Sequence, residues 1–221
     1  MSIAWIETNL QSSDLLILQS PFGDVFAFFC AFICVHRRLS LLICFSTMPI
    51  DPSQFEQWMD LALDQAAKAQ AAGDVPIGAV IVRSAGGAAD AGRVIAAEHN
   101  RRIIDADPTA HAEMLAIRAA AAALGDWRLA GCTMAVTLEP CCMCAGAIVL
   151  ARLDRLVYGA QDAKAGAVDT LYRLCSDQRL NHRLETVGGV RAGQCGAMLT
   201  EFFRKQRAMG KKWGRERKRR S

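Results

Sequence analysis

Two short segments of this sequence hold residues whose types and spacing could bind a metal and move protons: His111-Ala112-Glu113 and Pro140-Cys141-Cys142-Met143-Cys144. Cys141 and Cys144 stand three apart at the start of an expected helix, so they share a face while Cys142 points elsewhere. Only that pair can chelate one ion. A helix N-terminus carries partial positive charge, which favours thiolates, the form that zinc binds. His111 is expected in the first turn of another helix, where the same end effect disfavours protonation and keeps the imidazole neutral for ligation.

Three protein ligands, His111, Cys141 and Cys144, leave the fourth tetrahedral position for water, which marks a catalytic rather than a closed structural zinc site. Two thiolates already neutralise the ion's charge, so water there is a weaker acid than it would be over three imidazoles, and a base must help. Glu113 suits that role. Its two-residue offset from His111 does not stack the two side chains on one helical face, which places it beside the water rather than among the ligands. Two other readings compete. A strand followed by C-x-x-C at a helix start also describes a redox dithiol, but His111 and Glu113 then have no task. A four-ligand structural zinc needs a further donor from Cys132, Cys175, Cys195, His99 or His182, none at a typical paired spacing. Cys132 and Cys195 read as ordinary buried thiols.

Elements that could position these residues follow from periodicity. Apolar residues recur at helical spacing from Ser53 to Ala72, with Gly73 as a stop. Ile77 to Val82 and Arg93 to Ala97 read as a hairpin with a loose tip over Ser84 to Gly92. Asp107-Pro108 looks like an N-cap and first helical residue, opening an Ala-rich helix to Leu124. Strand Thr133 to Leu138, helix Cys141 to Leu150 and strand Arg155 to Tyr158 come next. A short helix near Leu171, a strand over Leu184 to Val187 and a long helix from Ala192 complete the pattern. This alternation predicts an α/β fold, a mixed central sheet with helices on both faces.

Composition agrees with an enzyme. The 221 residues are 52% hydrophobic, ample for a buried core. Of 26 basic residues, ten fall between Arg204 and Arg220, so the net charge of +4 belongs to the C-terminus. Nine cysteines, three of them clustered at 141, 142 and 144, suit a metal site in a reducing, cytoplasmic setting better than a disulfide framework. The expected organisation is an atypical apolar extension over 1–47, a catalytic domain over 48–210 and a basic tail over 211–221. The apolar run Val25 to Val35 is short for a membrane span of ~20 residues, and the first 47 residues also lack a basic start and a small-residue cleavage site. Met48 is the expected true start of translation, with a membrane anchor as the rival reading; no membrane association is expected of the domain itself.

Together, His111-Ala112-Glu113 and Pro140-Cys141-x-x-Cys144 match the H-x-E…P-C-x-x-C signature of zinc nucleobase deaminases. The surrounding Asp107-Pro108-Thr109-Ala110, Thr137-Leu138-Glu139 and Leu180-Asn181-His182-Arg183 resemble the bacterial tRNA-specific adenosine deaminases over roughly Phe55 to Arg207. Two departures are the longer hairpin tip and residues 1–47. The resemblance implies a cytidine-deaminase-like three-layer fold, one Zn2+ per subunit and a homodimer. It implies that adenosine at the wobble position of a tRNA anticodon stem-loop becomes inosine, with Glu113 as the acid–base group. It also implies substrate contacts from Asn100, Ala112 and Phe203, and weaker RNA contacts from Lys164, Arg183 and the tail. Asn100 otherwise reads as a loop cap, and the tail as a solvated end. Alternative activities are deamination of a free guanine or cytosine, or RNA binding without catalysis.

Overall fold

A computed structural model describes residues 51–84 and 92–210. The expected extension over 1–47, most of the hairpin tip and the tail over 211–221 lie outside them. Helix α1 (Pro52–Ala71) is followed by β1 (Gly78–Arg83), β2 (Val94–His99), α2 (Ala112–Leu124), β3 (Cys132–Leu138), α3 (Cys142–Leu150), β4 (Arg155–Ala160), a 3-10 turn (Leu174–Ser176), β5 (Glu185–Gly188) and α4 (Ala192–Ala208). The strand order is β2-β1-β3-β4-β5. Strand β1 runs antiparallel to β2 and β3, whereas β3, β4 and β5 are mutually parallel.

Side chains alternate across the sheet, and the helices divide accordingly. Ile81, Met134, Val136 and Leu156 face Ala112, Ala116 and Ala120 of α2 and Ala145 and Ile148 of α3. Val80, Val82, Ala135 and Val157 face Trp58, Met59 and Ala62 of α1 and Cys195 of α4. The three-layer expectation therefore holds. Strands β1 and β3 are buried on both faces, which is why Ile77 to Val82 reads as a compact apolar run, while edge strand β2 mixes exposed and buried positions. Each fully buried Met134, Ile148 or Leu156 contributes about 1.5–3 kcal/mol. Helix α1 lies so close to β1 that a Cβ on Gly78 would come within 2.5 Å of Ala66 N and 2.7 Å of Gln65 Cβ, and closer still to the Ala62 carbonyl.

Two expected elements differ. Helix α2 begins at Ala112, not at Asp107-Pro108. Asp107 Oδ1 instead accepts hydrogen bonds from Thr109 N and Thr109 Oγ1, both at 2.7 Å, and the Asp107 carbonyl accepts from Ala110 N. With Ala106 at φ 53° before it, the pair forms a turn that uses Pro108 as its second residue. The short helix expected near Leu171 is the 3-10 turn at Leu174–Ser176. Among the described residues, no helix is long and apolar enough to cross a membrane.

Candidate metal centre and active site

The turn through Asp107 delivers His111 to the N-cap of α2 rather than into its first turn as expected; Cys141 is the N-cap of α3. Both have extended backbones, and neither side chain caps its own helix. Each is thereby free to face the other. Cys144, one turn into α3, completes the group: His111 Nδ1 lies 3.8 Å from Cys141 Sγ and 3.6 Å from Cys144 Sγ, and the sulfurs are 3.7 Å apart. Among the described residues, this is the one cluster of three or more such side chains close enough to share an ion.

The donor set fits zinc. A tetrahedral ion with Zn–S of roughly 2.3 Å and Zn–N of roughly 2.0 Å separates two sulfurs by about 3.8 Å and sulfur from nitrogen by about 3.5 Å. Two convergent helix N-termini add partial positive charge that favours thiolates. Hydrogen bonding with Cys144, then with His111, holds the Cys141 thiol down to about 3 against the opposing effect of burial. Cys144 is pushed well above the ordinary thiol range, because its proton is held against the Cys141 thiolate and the sulfur is buried. His111 is also raised, chiefly by its hydrogen bond to Cys141.

Glu113 occupies the first turn of α2 and is 4% exposed. Burial raises its pKa above the ordinary carboxylate range. A carboxyl whose proton affinity is raised in this way is suited to take up and release a proton.

Of the other residues singled out, Cys142 is exposed and turned away from the cluster, while Cys132 and Cys195 are buried. Burial raises Cys132 and pushes Cys195 up to about 11. Asn100 follows β2 and is 2% exposed. Its neighbour Arg101 donates from its backbone N–H to the Ala110 carbonyl, which brings this segment beside His111. Ala112 is fully buried, so its side chain packs into the core and only its backbone can meet a ligand. Phe202 is buried, and Phe203, in edge contact at 5.5 Å, is partly exposed. Lys164 and Arg183 are exposed.

Two buried acids were not assigned roles from the sequence. Glu139, 2% exposed, accepts from the backbone N–H groups of Asp162, Val168, Asp169 and Thr170 and from the Thr170 hydroxyl. Burial acts to raise its pKa, but these hydrogen bonds prevail and hold it below the usual carboxylate range. They fasten the 162–170 loop, whose Gly166 pairs with Cys141 and whose Ala167 N–H donates to the Pro140 carbonyl. Asp74, fully buried, ties together Asn100 and the following loop. A lone acid ending an apolar strand, just before Pro140-Cys141, was the available signal for Glu139.

The cytidine and deoxycytidylate deaminase zinc-binding region matches this chain over residues 52–160. Fold and donor set are thus those of a zinc-dependent deaminase. The chain is 48% identical over 155 residues to the tRNA-specific adenosine deaminase of Bacillus subtilis, covering 70% of this chain and 92% of that protein. It is 45% identical over 152 residues to the enzyme of that name from Haemophilus influenzae, covering 69% and 84%. A solved structure from a study of A-to-I editing by tRNA:A34 deaminases aligns with a TM-score of 0.60 at 45% identity, covering 65% of this chain and 99% of that one. The guanine deaminase of Nitrosomonas europaea shares the fold, at a TM-score of 0.55 and 24% identity, covering 71% of this chain and 86% of that one. This chain belongs to the tRNA-specific adenosine deaminase family.

Proposed function

We propose that this protein hydrolyses adenosine to inosine, with release of ammonia, at the wobble position of tRNA. The observation that carries the reading is the triangle of His111 Nδ1, Cys141 Sγ and Cys144 Sγ, with sides of 3.6 to 3.8 Å, beside buried Glu113. Identity of 45–48% to enzymes named as tRNA-specific adenosine deaminases supports the substrate.

His111, Cys141 and Cys144 would hold the zinc ion, which when bound would supply a water of lowered pKa. Glu113 takes one proton from the attacking water and delivers it to ring N1 of adenine, then takes the proton of the new C6 hydroxyl and delivers it to the amine, so that the C6–N bond breaks, ammonia leaves and the C6 carbonyl of inosine forms. The first-turn N–H groups of α3, which helix geometry leaves without intrahelical partners, can donate to oxygen that develops charge at C6. The target base must leave its stack, which costs least in a single-stranded loop, so an anticodon stem-loop suffices as substrate. Asn100 and the backbone of Ala112 contact the flipped base, and Phe203 meets the RNA. The working unit is a homodimer acting in the cytoplasm, as the family resemblance implies.

The test is inosine formation on a panel of anticodon stem-loops against free guanine, cytosine and adenine. Turnover confined to stem-loops bearing a wobble adenosine supports the reading. Faster turnover of a free base contradicts it.

A further inference from the structure

Asp74 lies in the turn between α1 and β1, 26 positions before Asn100, and is fully buried. A buried carboxylate is costly unless its oxygens are met by donors. Asp74 Oδ1 accepts from Asn100 Nδ2 at 2.7 Å and from Val75 N at 2.8 Å. Asp74 Oδ2 accepts from Ile103 N at 2.7 Å and Ile104 N at 3.2 Å. The loop held in this way, 101–105, is closed by the Arg101–Asp105 ion pair at 2.9 Å and leads through the Asp107 turn to His111.

An asparagine amide presents a donor and an acceptor of nearly equal shape, so in an ordinary polar pocket it can flip end for end. A carboxylate can only accept. From this contact we infer that Asp74 is a positioning residue for base recognition: it holds Nδ2 of Asn100 inward and fixes which end of the amide the substrate meets. The inference rests on the reading of Asn100 as a base contact. It assigns Asp74 two linked tasks, setting the amide's orientation and tethering the loop that leads to His111.

A double-mutant cycle on the full-length, zinc-loaded protein tests this, with single-turnover inosine formation on an anticodon stem-loop as readout. Asp74→Asn is nearly isosteric and keeps an acceptor for the loop, but its own amide lets Asn100 take either orientation. It should slow the reaction roughly 5- to 150-fold, the range expected when a buried polar group loses its proper partner. In the Asn100→Ala background, Asp74→Asn should add little further loss, because the group it orients is gone. An equal loss in both backgrounds, or an unchanged rate for Asp74→Asn alone, overturns the inference. A wild-type rate for Asn100→Ala overturns the reading of Asn100 itself, and the inference with it. Should Asp74→Asn fail to accumulate folded, Asp74→Glu serves in the same cycle: displacing the acceptor loosens the loop in either background, so its loss should be larger where Asn100 is present, and a loss equal in both backgrounds overturns the inference.

Discussion

The sulfurs of Cys141 and Cys144 stand 3.7 Å apart, with His111 Nδ1 at a matching distance from each. A disulfide would need about 2.05 Å and no histidine. Cys142, between them in sequence, is exposed. The protein should therefore carry about one zinc per chain; Cys141→Ala and Cys144→Ala should each lose it and Cys142→Ala should keep it, as read by metal analysis of purified protein. Equal loss from all three variants would contradict the assignment.

Glu139 makes stability depend on pH. Its folded pKa lies below that of the unfolded chain, so its stabilisation is complete above the unfolded value, about 4.3, and is lost as pH falls through the depressed folded value. Glu139→Gln leaves several N–H donors of the 162–170 loop poorly matched and should cost about 2–4 kcal/mol at pH 7. Denaturant unfolding of both proteins at pH 7 and near pH 3.5 checks this. The gap between them should narrow at the lower pH, and a constant gap would contradict the charge-based account.

Gly78 is needed for space. A methyl group there meets the backbone of α1, which cannot yield without moving a helix that buries Trp58, Met59 and Ala62. Gly78→Ala should destabilise by at least about 1–3 kcal/mol, the usual cost of overpacking, seen as a lowered Tm. A Tm equal to the parent's would show that α1 can shift freely.

The site was legible because its spacing is local: cysteines at i and i+3 at a helix start, and a histidine two residues from an acid. Strand β1 was legible because burial on both faces leaves a compact apolar run of β-branched residues. The Asp-Pro pairs show where local reading ends. Asp51-Pro52 caps α1, with Asp51 Oδ1 accepting from Ser53 N at 3.0 Å. Asp107-Pro108 makes the same kind of side-chain bond, to Thr109, yet turns the chain toward His111 instead. The difference lies in surrounding contacts, such as Arg101 N on the Ala110 carbonyl. Glu139 and Asp74 escaped for the same reason, since their partners lie 23 to 31 and 26 to 30 residues away, apart from Val75 beside Asp74.

In the proposed reaction Glu113 moves protons at a zinc site that accepts RNA-borne adenosine. Single-turnover inosine formation on a wobble-adenosine stem-loop, by the parent protein and Glu113→Ala at equal zinc content, tests it most directly. The parent should convert the base, and Glu113→Ala should keep zinc and RNA affinity while losing roughly 10²- to 10⁴-fold in rate. A Glu113→Ala rate within tenfold of the parent's, or a parent that makes no inosine with zinc bound, would contradict the account.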